Sequence, residues 1–193
     1  MFNGQNPTRH YAFALAWLLL GTVIGLHFPD LDTRFQWLIP SWALLHRSIL
    51  THGLIISSLL FWLTRKYIAN KPSFRLFVMG LSLAFAVHLC FDFFPRGWVG
   101  FALIHIPLYG RATAFSSQAW IILSIVTCLY LAFLMVQNIV EFALSVGCLA
   151  MSFCISAFEN RGAILLALTL LALSTITVIV TMRRVHGNER RQP

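Results

Sequence analysis

The chain has 193 residues, of which 59% are hydrophobic and only 10% are charged, and its mean hydropathy is +0.78. Soluble domains carry roughly 25% charged residues, so this composition excludes an ordinary soluble enzyme and indicates helices that cross a lipid bilayer. The net charge of +8 comes largely from short basic clusters between apolar runs and from the C-terminal tail, which favours contact with anionic lipid and gives no basic stripe for nucleic acid.

The first apolar run, residues 11–28, predicts the first membrane span. It contains Gly21-x-x-x-Gly25, a spacing that allows two helices to pack closely. Because it lacks an A-x-A-like cleavage site and is followed by Pro29, we expect a retained span and not a signal peptide that is removed. The mixed segment 30–45 contains two tryptophans and is typical of chain that lies at the membrane interface.

Five more apolar runs follow, and a helix needs about 20 apolar residues to cross a bilayer. We expect these spans near residues 51–63, 76–94, 119–137, 139–158 and 162–182. The longest loop is then 95–118, and its apolar part is predicted to dip into the interface. The four cysteines lie inside apolar runs without CxxC spacing, which favours a packing role.

The fold class is therefore predicted to be all-α: a polytopic helical membrane protein with about six transmembrane helices. Residues 1–118 form the part that carries the polar motifs, and residues 119–193 add three helices and a basic tail. With six spans, nine Lys and Arg residues fall on the side of the termini and five on the other. The positive-inside rule then favours cytoplasmic termini, with the polar motifs on the outer side.

Six side chains in those motifs are candidate ligands of a metal ion: Asp30, Asp32, His46, His52, His88 and Asp92. His88 and Asp92 are four residues apart, so they share one face of a helix. The two early aspartates point the same way if the backbone there is extended. The two histidines of the middle motif converge only if a turn separates them, in which case Ser48 or Thr51 could cap the second span.

Three imidazoles and three carboxylates are enough to bind one or two divalent ions, with zinc or manganese favoured by this ligand mixture. Such an ion can activate water for hydrolysis, and Arg47 and Arg96 could hold an anionic substrate such as a phosphate. Taken alone, each motif also has a purely structural interpretation. A pair such as Asp30-x-Asp32, for example, is more often a solvated helix terminus than a metal site. Asp92 favours function more strongly, because a carboxylate near the end of a span usually faces protein or water.

The remaining histidines fit the site less well. His27 could be a further ligand, but His27 and His105 are more simply interpreted as interfacial side chains. His10 precedes Asp30 by a whole span, which is about 30 Å of straight helix, and is therefore expected at the opposite face.

Three motifs in this order resemble the YdjM-like family of inner-membrane, metal-dependent hydrolases: Pro29-Asp30-Leu31-Asp32, His46-Arg47-x-x-x-Thr51-His52 and His88-x-x-x-Asp92. The resemblance covers roughly residues 10–110. The middle motif is one residue longer than is usual in that family and lacks its glycine. The resemblance implies a protein of the bacterial inner membrane that binds a divalent ion, and we predict catalytic roles for Arg47 and Thr51.

Three functions of different classes follow as hypotheses. The first is a metal-dependent hydrolase of a lipid-linked or phosphorylated substrate. The second is an ion-coupled carrier in which His88 and Asp92 relay protons or cations, although Glu141 is the main ionisable group in the last three spans. The third is a membrane partner protein without catalytic activity.

Overall fold

The computed structural model describes residues 7–31, 38, 47–66, 71–93 and 103–189. Two of the predicted metal ligands, Asp32 and His46, lie outside these ranges, as does Arg96. Most of the predicted interfacial segment 30–45 lies outside them as well.

The described residues form six helices and one short hairpin. The elements are α1 (Pro7–His27), α2 (Leu54–Lys66), α3 (Pro72–Asp92), β1 (His105–Ile106), β2 (Gly110–Arg111), α4 (Ala114–Leu134), α5 (Ile139–Glu159) and α6 (Ile164–Glu189), with a 3-10 turn at Arg161–Ala163 before α6. The all-α prediction is confirmed, and the antiparallel hairpin is an addition to it. Within the described ranges, four segments are long and apolar enough to cross a membrane: Pro72–Asp92, Ala114–Leu134, Ile139–Glu159 and Arg161–Arg183.

The start of α4 differs from its predicted position, since the helix begins at Ala114 and not near residue 119. Thr113 caps the helix, since its hydroxyl oxygen accepts a hydrogen bond from the Ser116 backbone at 3.2 Å. The first turns contain two serines and a glutamine, which hide the start of the helix from a hydropathy scan. The Ser117 hydroxyl donates to the Thr113 carbonyl at 2.8 Å and accepts from the Ile104 backbone at 3.0 Å, so its polar atoms are satisfied.

The second and third helices are also displaced from their predicted ranges. The α2 helix begins at Leu54, three residues later than predicted, because Thr51 lies in a turn instead. The Leu54 backbone N–H donates to the Ser124 hydroxyl of α4 at 3.1 Å, so this helix start is satisfied from a neighbouring helix and not by Ser48 or Thr51. The α3 helix begins at Pro72, since proline suits the first turn of a helix.

Close backbone packing of α1 against α3 fixes the relative position of these two helices. A Cβ atom on Gly21 would overlap the Phe77 carbonyl oxygen, and one on Gly80 would overlap the Leu18 carbonyl oxygen. The Gly21-x-x-x-Gly25 spacing therefore lies in a helix interface, as its sequence pattern indicates. Later residues of α1 contact later residues of α3: Leu18 meets Gly80, and Leu26 meets His88. The two helices therefore run in the same direction and end side by side.

The α3 helix is the central helix of the fold, with fifteen buried residues. The α5 helix runs parallel to it, since its start pairs with the start of α3 and Phe153 contacts Phe91 at a ring-centroid distance of 5.2 Å. The α4 helix runs in the opposite direction, since the Met135 carbonyl that follows it contacts Arg75. The C-terminal ends of α1 and α3 therefore lie at the same end as the starts of α2 and α4. We call this the site end.

Candidate metal centre

His88 and Asp92 come from the last turns of α3 and lie on one face of the helix. The His88 Nε2 atom is 3.2 Å from the Asp92 Oδ2 atom. The other ring nitrogen, Nδ1, lies 2.9 Å from the Leu26 carbonyl oxygen of α1. Since a carbonyl can only accept, this bond places a proton on Nδ1 and leaves the Nε2 lone pair of a neutral ring directed toward Asp92.

His52 lies in a compact turn between residue 47 and α2. The backbone N–H groups of Thr51 and His52 both donate to the Ser48 carbonyl, at 3.1 and 2.8 Å. Arg47 opens the turn with a φ of 63°, in the left-handed region. The indole N–H of Trp120 on α4 donates to the His52 carbonyl at 3.2 Å. The turn is therefore held from both sides, and it presents a buried His52 to the end of α3.

The Thr51 hydroxyl orients the His52 ring. It donates its hydrogen to the Ser48 carbonyl at 3.3 Å and lies 3.0 Å from His52 Nδ1. If His52 carries its proton on Nδ1, the hydroxyl oxygen accepts from Nδ1–H while the hydroxyl donates to Ser48. That tautomer directs the His52 Nε2 lone pair into the site, as in His88.

The two histidines converge on one carboxylate. His52 Nε2 lies 3.1 Å from Asp92 Oδ2, which is close to the His88 distance, and the two ring centroids are 5.7 Å apart. Asp30, just after α1, places its Oδ1 atom 3.8 Å from His88 Nε2. Asp30, His52 and His88 each offer a ligand atom within 4.8 Å of the others, so these three residues form a possible metal-binding triad.

These spacings fit the ligands of one ion. Around a tetrahedral zinc ion with bonds of about 2.0 to 2.1 Å, neighbouring ligand atoms lie about 3.3 Å apart. The two imidazole distances to Asp92 are close to that value, and the Asp30 distance is somewhat wider. Among the described residues, His88 Nε2 and Asp92 Oδ2 are buried and have no hydrogen bond of acceptable geometry. The residues present therefore fit a bound cation.

Electrostatics lead to the same conclusion. The Nε2 atoms of His52 and His88 both face the Asp92 carboxylate, and a ring lone pair directed at a carboxylate oxygen is repelled unless a cation or an added proton lies between them. The histidines and Asp92 are largely buried, whereas the Asp30 side chain is 51% exposed. The site is thus enclosed by α3 and the turn, and it opens toward solvent on the side of Asp30.

Arg47 adds a positive charge beside the site. Its Nη2 atom lies 3.9 Å from Asp92 Oδ1, the oxygen that does not face the histidines, and its side chain is partly exposed. A planar guanidinium at this place can bind an anion next to the ligand cluster.

The structure brings together four of the six predicted metal ligands: Asp30, His52, His88 and Asp92. Arg47 and Thr51, predicted as catalytic, lie directly beside them. His27 is exposed at the end of α1, and His105 is buried in the hairpin. His10 lies in the first turn of α1, at the opposite end of that helix from Asp30.

Sequence reasoning missed the groups that hold the histidines in place. The Leu26 carbonyl is a backbone acceptor, so the residue type carries no signal of its role. The Trp120 contact comes from a helix 68 positions away in the chain. The only sequence signal for this contact is a tryptophan, Trp120, near the start of a predicted span.

A second polar cluster was also missed, at the other end of α3. Arg75 binds Glu141 through two hydrogen bonds of 2.6 and 2.8 Å, and it donates to the Met135 carbonyl. The Gln137 backbone N–H donates to Glu141 at 2.9 Å. The sequence pattern predicted that Arg75 lies in a basic, proline-containing turn before the third span, whereas Arg75 lies in α3 and the pair is buried between α3 and α5.

Comparisons with known proteins give no further assignment. No family model, no curated protein and no solved structure matches the chain significantly.

Proposed function

We propose that the protein is a metal-dependent hydrolase of the inner membrane, related to the YdjM-like family, that binds zinc or manganese at the site end. One observation carries the proposal. Two imidazoles, each fixed through its Nδ1 atom, direct both Nε2 atoms at one carboxylate oxygen at 3.1 and 3.2 Å. Outer hydrogen bonds that fix the ring tautomer are typical of histidines that bind metals.

The proposed membrane arrangement has about six spans with cytoplasmic termini. The alternating directions of α1 to α5 support it, as do the basic residues between α2 and α3 and after α6. The site end then faces the outer leaflet. Beside the four longer helices, the proposal counts two shorter ones as spans: α1, whose apolar part is Tyr11–His27, and α2, which has 13 residues.

The residues divide the chemical work as follows. His52, His88 and Asp92 hold the ion, and Asp30 completes the set from the open side. A divalent ion supplies Lewis acidity that activates water near neutral pH. Arg47 binds the anionic group of the substrate and directs it toward the open side, and Thr51 keeps the Nε2 lone pair of His52 available.

The proposed substrate is a phosphate ester carried by a lipid or another amphiphile. Arg47 supports the anionic group, because a guanidinium recognises a phosphate through paired hydrogen bonds. The position at the end of a membrane helix supports the apolar part, since a substrate embedded in the leaflet reaches the site without leaving the bilayer.

The primary test is the metal content of the purified protein. Wild type, His52→Ala, His88→Ala and Asp92→Ala are purified and reconstituted in nanodiscs, and bound zinc and manganese are measured by mass spectrometry. We expect about one ion per chain in wild type, since the site has one set of ligands. We expect little or none in the histidine variants, and weakened binding in Asp92→Ala.

His27→Ala is the matched control, because His27 is an exposed histidine at the same end of the molecule. It should bind as much metal as wild type. Absence of metal in wild type, or equal metal in wild type and both His52→Ala and His88→Ala, would sink the metal proposal.

Hydrolysis and transport are separated by two assays on the same samples. Release of phosphate from a fluorescent lipid phosphate in the nanodisc tests for hydrolysis. Uptake of radioactive zinc or manganese into proteoliposomes tests for a carrier. Hydrolysis that is lost in His88→Ala supports the proposal, whereas ion uptake without hydrolysis assigns the same residues to transport.

A further inference from the structure

The hairpin before α4 carries an exposed apolar tip. Leu108 and Tyr109 are 77% and 87% exposed, and Phe115 in the first turn of α4 is 81% exposed. Leu108 adopts a φ of 70° and Gly110 a φ of 91°. The left-handed conformation disfavours leucine. The backbone is therefore held in a shape that turns two large apolar side chains away from the protein.

The hairpin lies beside the start of α4. The Ile104 backbone N–H donates to the Ser117 hydroxyl at 3.0 Å, and the Ala112 N–H donates to the Ile104 carbonyl at 2.8 Å. The strands therefore lie beside the first turn of a helix that is long and apolar enough to cross a bilayer. An apolar tip at this level meets the headgroup layer and not open water.

The side-chain chemistry of the hairpin suits that layer. Tyrosine is enriched at membrane interfaces, where the ring is apolar and the hydroxyl stays wet. Arg111 is exposed on β2, and its guanidinium can reach a lipid phosphate while its stem covers apolar surface. Leucine and phenylalanine contribute apolar area that inserts between acyl chains.

The same hairpin is bonded to the turn that holds His52. The Ile49 backbone N–H donates to the His105 carbonyl at 2.8 Å, and the His105 N–H donates to the Arg47 carbonyl at 2.9 Å. His105 is buried, so these bonds are shielded from water. A displacement of the hairpin therefore shifts residues 47–52 through backbone hydrogen bonds, without depending on flexible side chains.

We propose that Leu108, Tyr109 and Phe115 dock in the phospholipid headgroup layer of the leaflet at the site end. Through the two backbone bonds at His105, this docking fixes the turn 47–52. The bilayer thereby becomes part of what positions His52. The proposal requires neither a bound metal nor hydrolysis.

The docking is tested by the depth of a spin label. Tyr109→Cys, in a Cys154→Ser background because the other three cysteines are buried, is labelled in nanodiscs of phosphatidylcholine and phosphatidylglycerol. We expect the relaxation by oxygen and by a water-soluble nickel reagent at residue 109 to lie between the values at an acyl-chain position and at a position in water. Leu173→Cys, exposed in the middle of α6, marks the apolar depth, and Lys71→Cys, exposed before α3, marks water.

A label at residue 109 that the nickel reagent relaxes as strongly as at residue 71 would place the tip in water. That result would overturn the proposal and favour a soluble partner or a second copy of the chain at this surface.

The link to the turn is tested by hydrogen exchange of peptides that contain Ile49 and His105. In nanodiscs, the double variant Leu108→Ser/Tyr109→Ser should exchange about tenfold faster in both peptides than wild type, since loss of docking lowers the local opening free energy. Phe158→Ser/Leu165→Ser is the control. It removes apolar side chains of similar exposure from the end of α5 and the start of α6, which are not among the described backbone partners of the turn 47–52. Unchanged exchange in the tip variant, or equal acceleration in the control, would refute the link.

Discussion

At the scale of single residues, the site depends on how two imidazole rings are held. Each histidine of the cluster uses Nδ1 for an outer acceptor, the Leu26 carbonyl for His88 and the Thr51 hydroxyl for His52. Neither acceptor touches the proposed ion. Both nevertheless affect whether a lone pair or a proton points at it, so they modulate the affinity for metal that the ligands supply.

Thr51 is the acceptor that can be removed by mutation. Thr51→Val keeps the shape of the side chain and removes the hydroxyl, so the His52 ring loses its fixed tautomer. We expect zinc affinity to fall about tenfold, the lower end of the range for lost outer partners of ligating histidines. Competition with a coloured chelator measures the change.

Thr51→Ser supplies the control, because it keeps the hydroxyl and should bind zinc as wild type does. Equal affinity in the valine and wild-type proteins would mean that the turn orients His52 without this hydroxyl.

Arg47 combines an unusual backbone conformation with a proposed role in binding anions. Arg47→Asn is the informative change, since asparagine tolerates a positive φ and carries no charge. We expect bound zinc to stay unchanged, while the Kd of the metal-loaded protein for inorganic phosphate rises about tenfold with loss of a charge-assisted pair. Isothermal titration with phosphate measures the Kd, and mass spectrometry of the same sample measures the bound zinc.

Arg47→Val separates the two roles, because a β-branched residue is strained at this φ. It should lower thermal stability as well as phosphate binding. If Arg47→Asn binds phosphate as tightly as wild type, the guanidinium has another role beside Asp92.

The residues of the site could be predicted from sequence to different extents. His88 and Asp92 were placed together by helix geometry alone, because four residues make one turn. Their approach to His52 and Asp30 was expected from a count of spans, which requires only that these elements end on one side. The distances could not be predicted, since they depend on the turn at Arg47, whose left-handed φ has no signature in an arginine.

At the scale of elements, the interface between α1 and α3 places the site. Three glycines allow the two backbones to touch, and the same register sets the Leu26 carbonyl beside His88. Gly80→Ala puts a methyl group against the Leu18 backbone, which cannot move without shifting α1. We expect a loss of about 1 to 3 kcal/mol in the free energy of unfolding, the usual cost of overpacking.

Gly147→Ala is the matched control, because a Cβ atom there meets nothing within 4 Å. It should be neutral or slightly stabilising, since alanine favours helix over glycine. Thermal unfolding in nanodiscs compares the two variants. Equal midpoints for Gly80→Ala and wild type would show that α1 and α3 can move apart at little cost. That result would contradict the claim that their close packing holds the Leu26 carbonyl beside His88.

Elements differed in how far their sequence patterns predicted them. The α5 helix was predicted to within a residue at each end, because Asn138 caps it and an apolar run fills it. The start of α4 was predicted five residues late, since serines that look like loop are satisfied inside a helix. The hairpin has only two pairs of residues and a leucine in the left-handed region, so no periodicity could reveal it.

At the scale of the whole molecule, α3 carries a polar cluster at each end and an apolar stretch between them. The ligand cluster lies at its C-terminal end, and the Arg75–Glu141 pair lies near its start. From residue 75 to residue 88 is about 20 Å along a helix. The two clusters are thus separate in space, and they differ in chemistry: the pair is closed and neutral overall, whereas the ligand cluster has an excess of lone pairs.

The Arg75–Glu141 pair joins α3, α5 and the chain after α4, so we expect it to stabilise the bundle without affecting the site. Glu141→Ala leaves Arg75 buried without its main partner, and breaking a buried pair in this way costs about 3 to 5 kcal/mol. Arg75→Met/Glu141→Met replaces both charges with apolar chains and should recover most of that loss. Thermal unfolding of wild type, Glu141→Ala and the double variant measures their order of stability.

Zinc binding on the same samples decides between a structural and a functional pair. If the pair is structural, Arg75→Met/Glu141→Met binds zinc as wild type does, because nothing at the site end has changed. If it belongs to an ion pathway through the bundle, the double variant remains folded but loses ion uptake, and the carrier hypothesis gains a second set of residues. The folded double variant therefore distinguishes these roles, whereas the unstable single variant cannot.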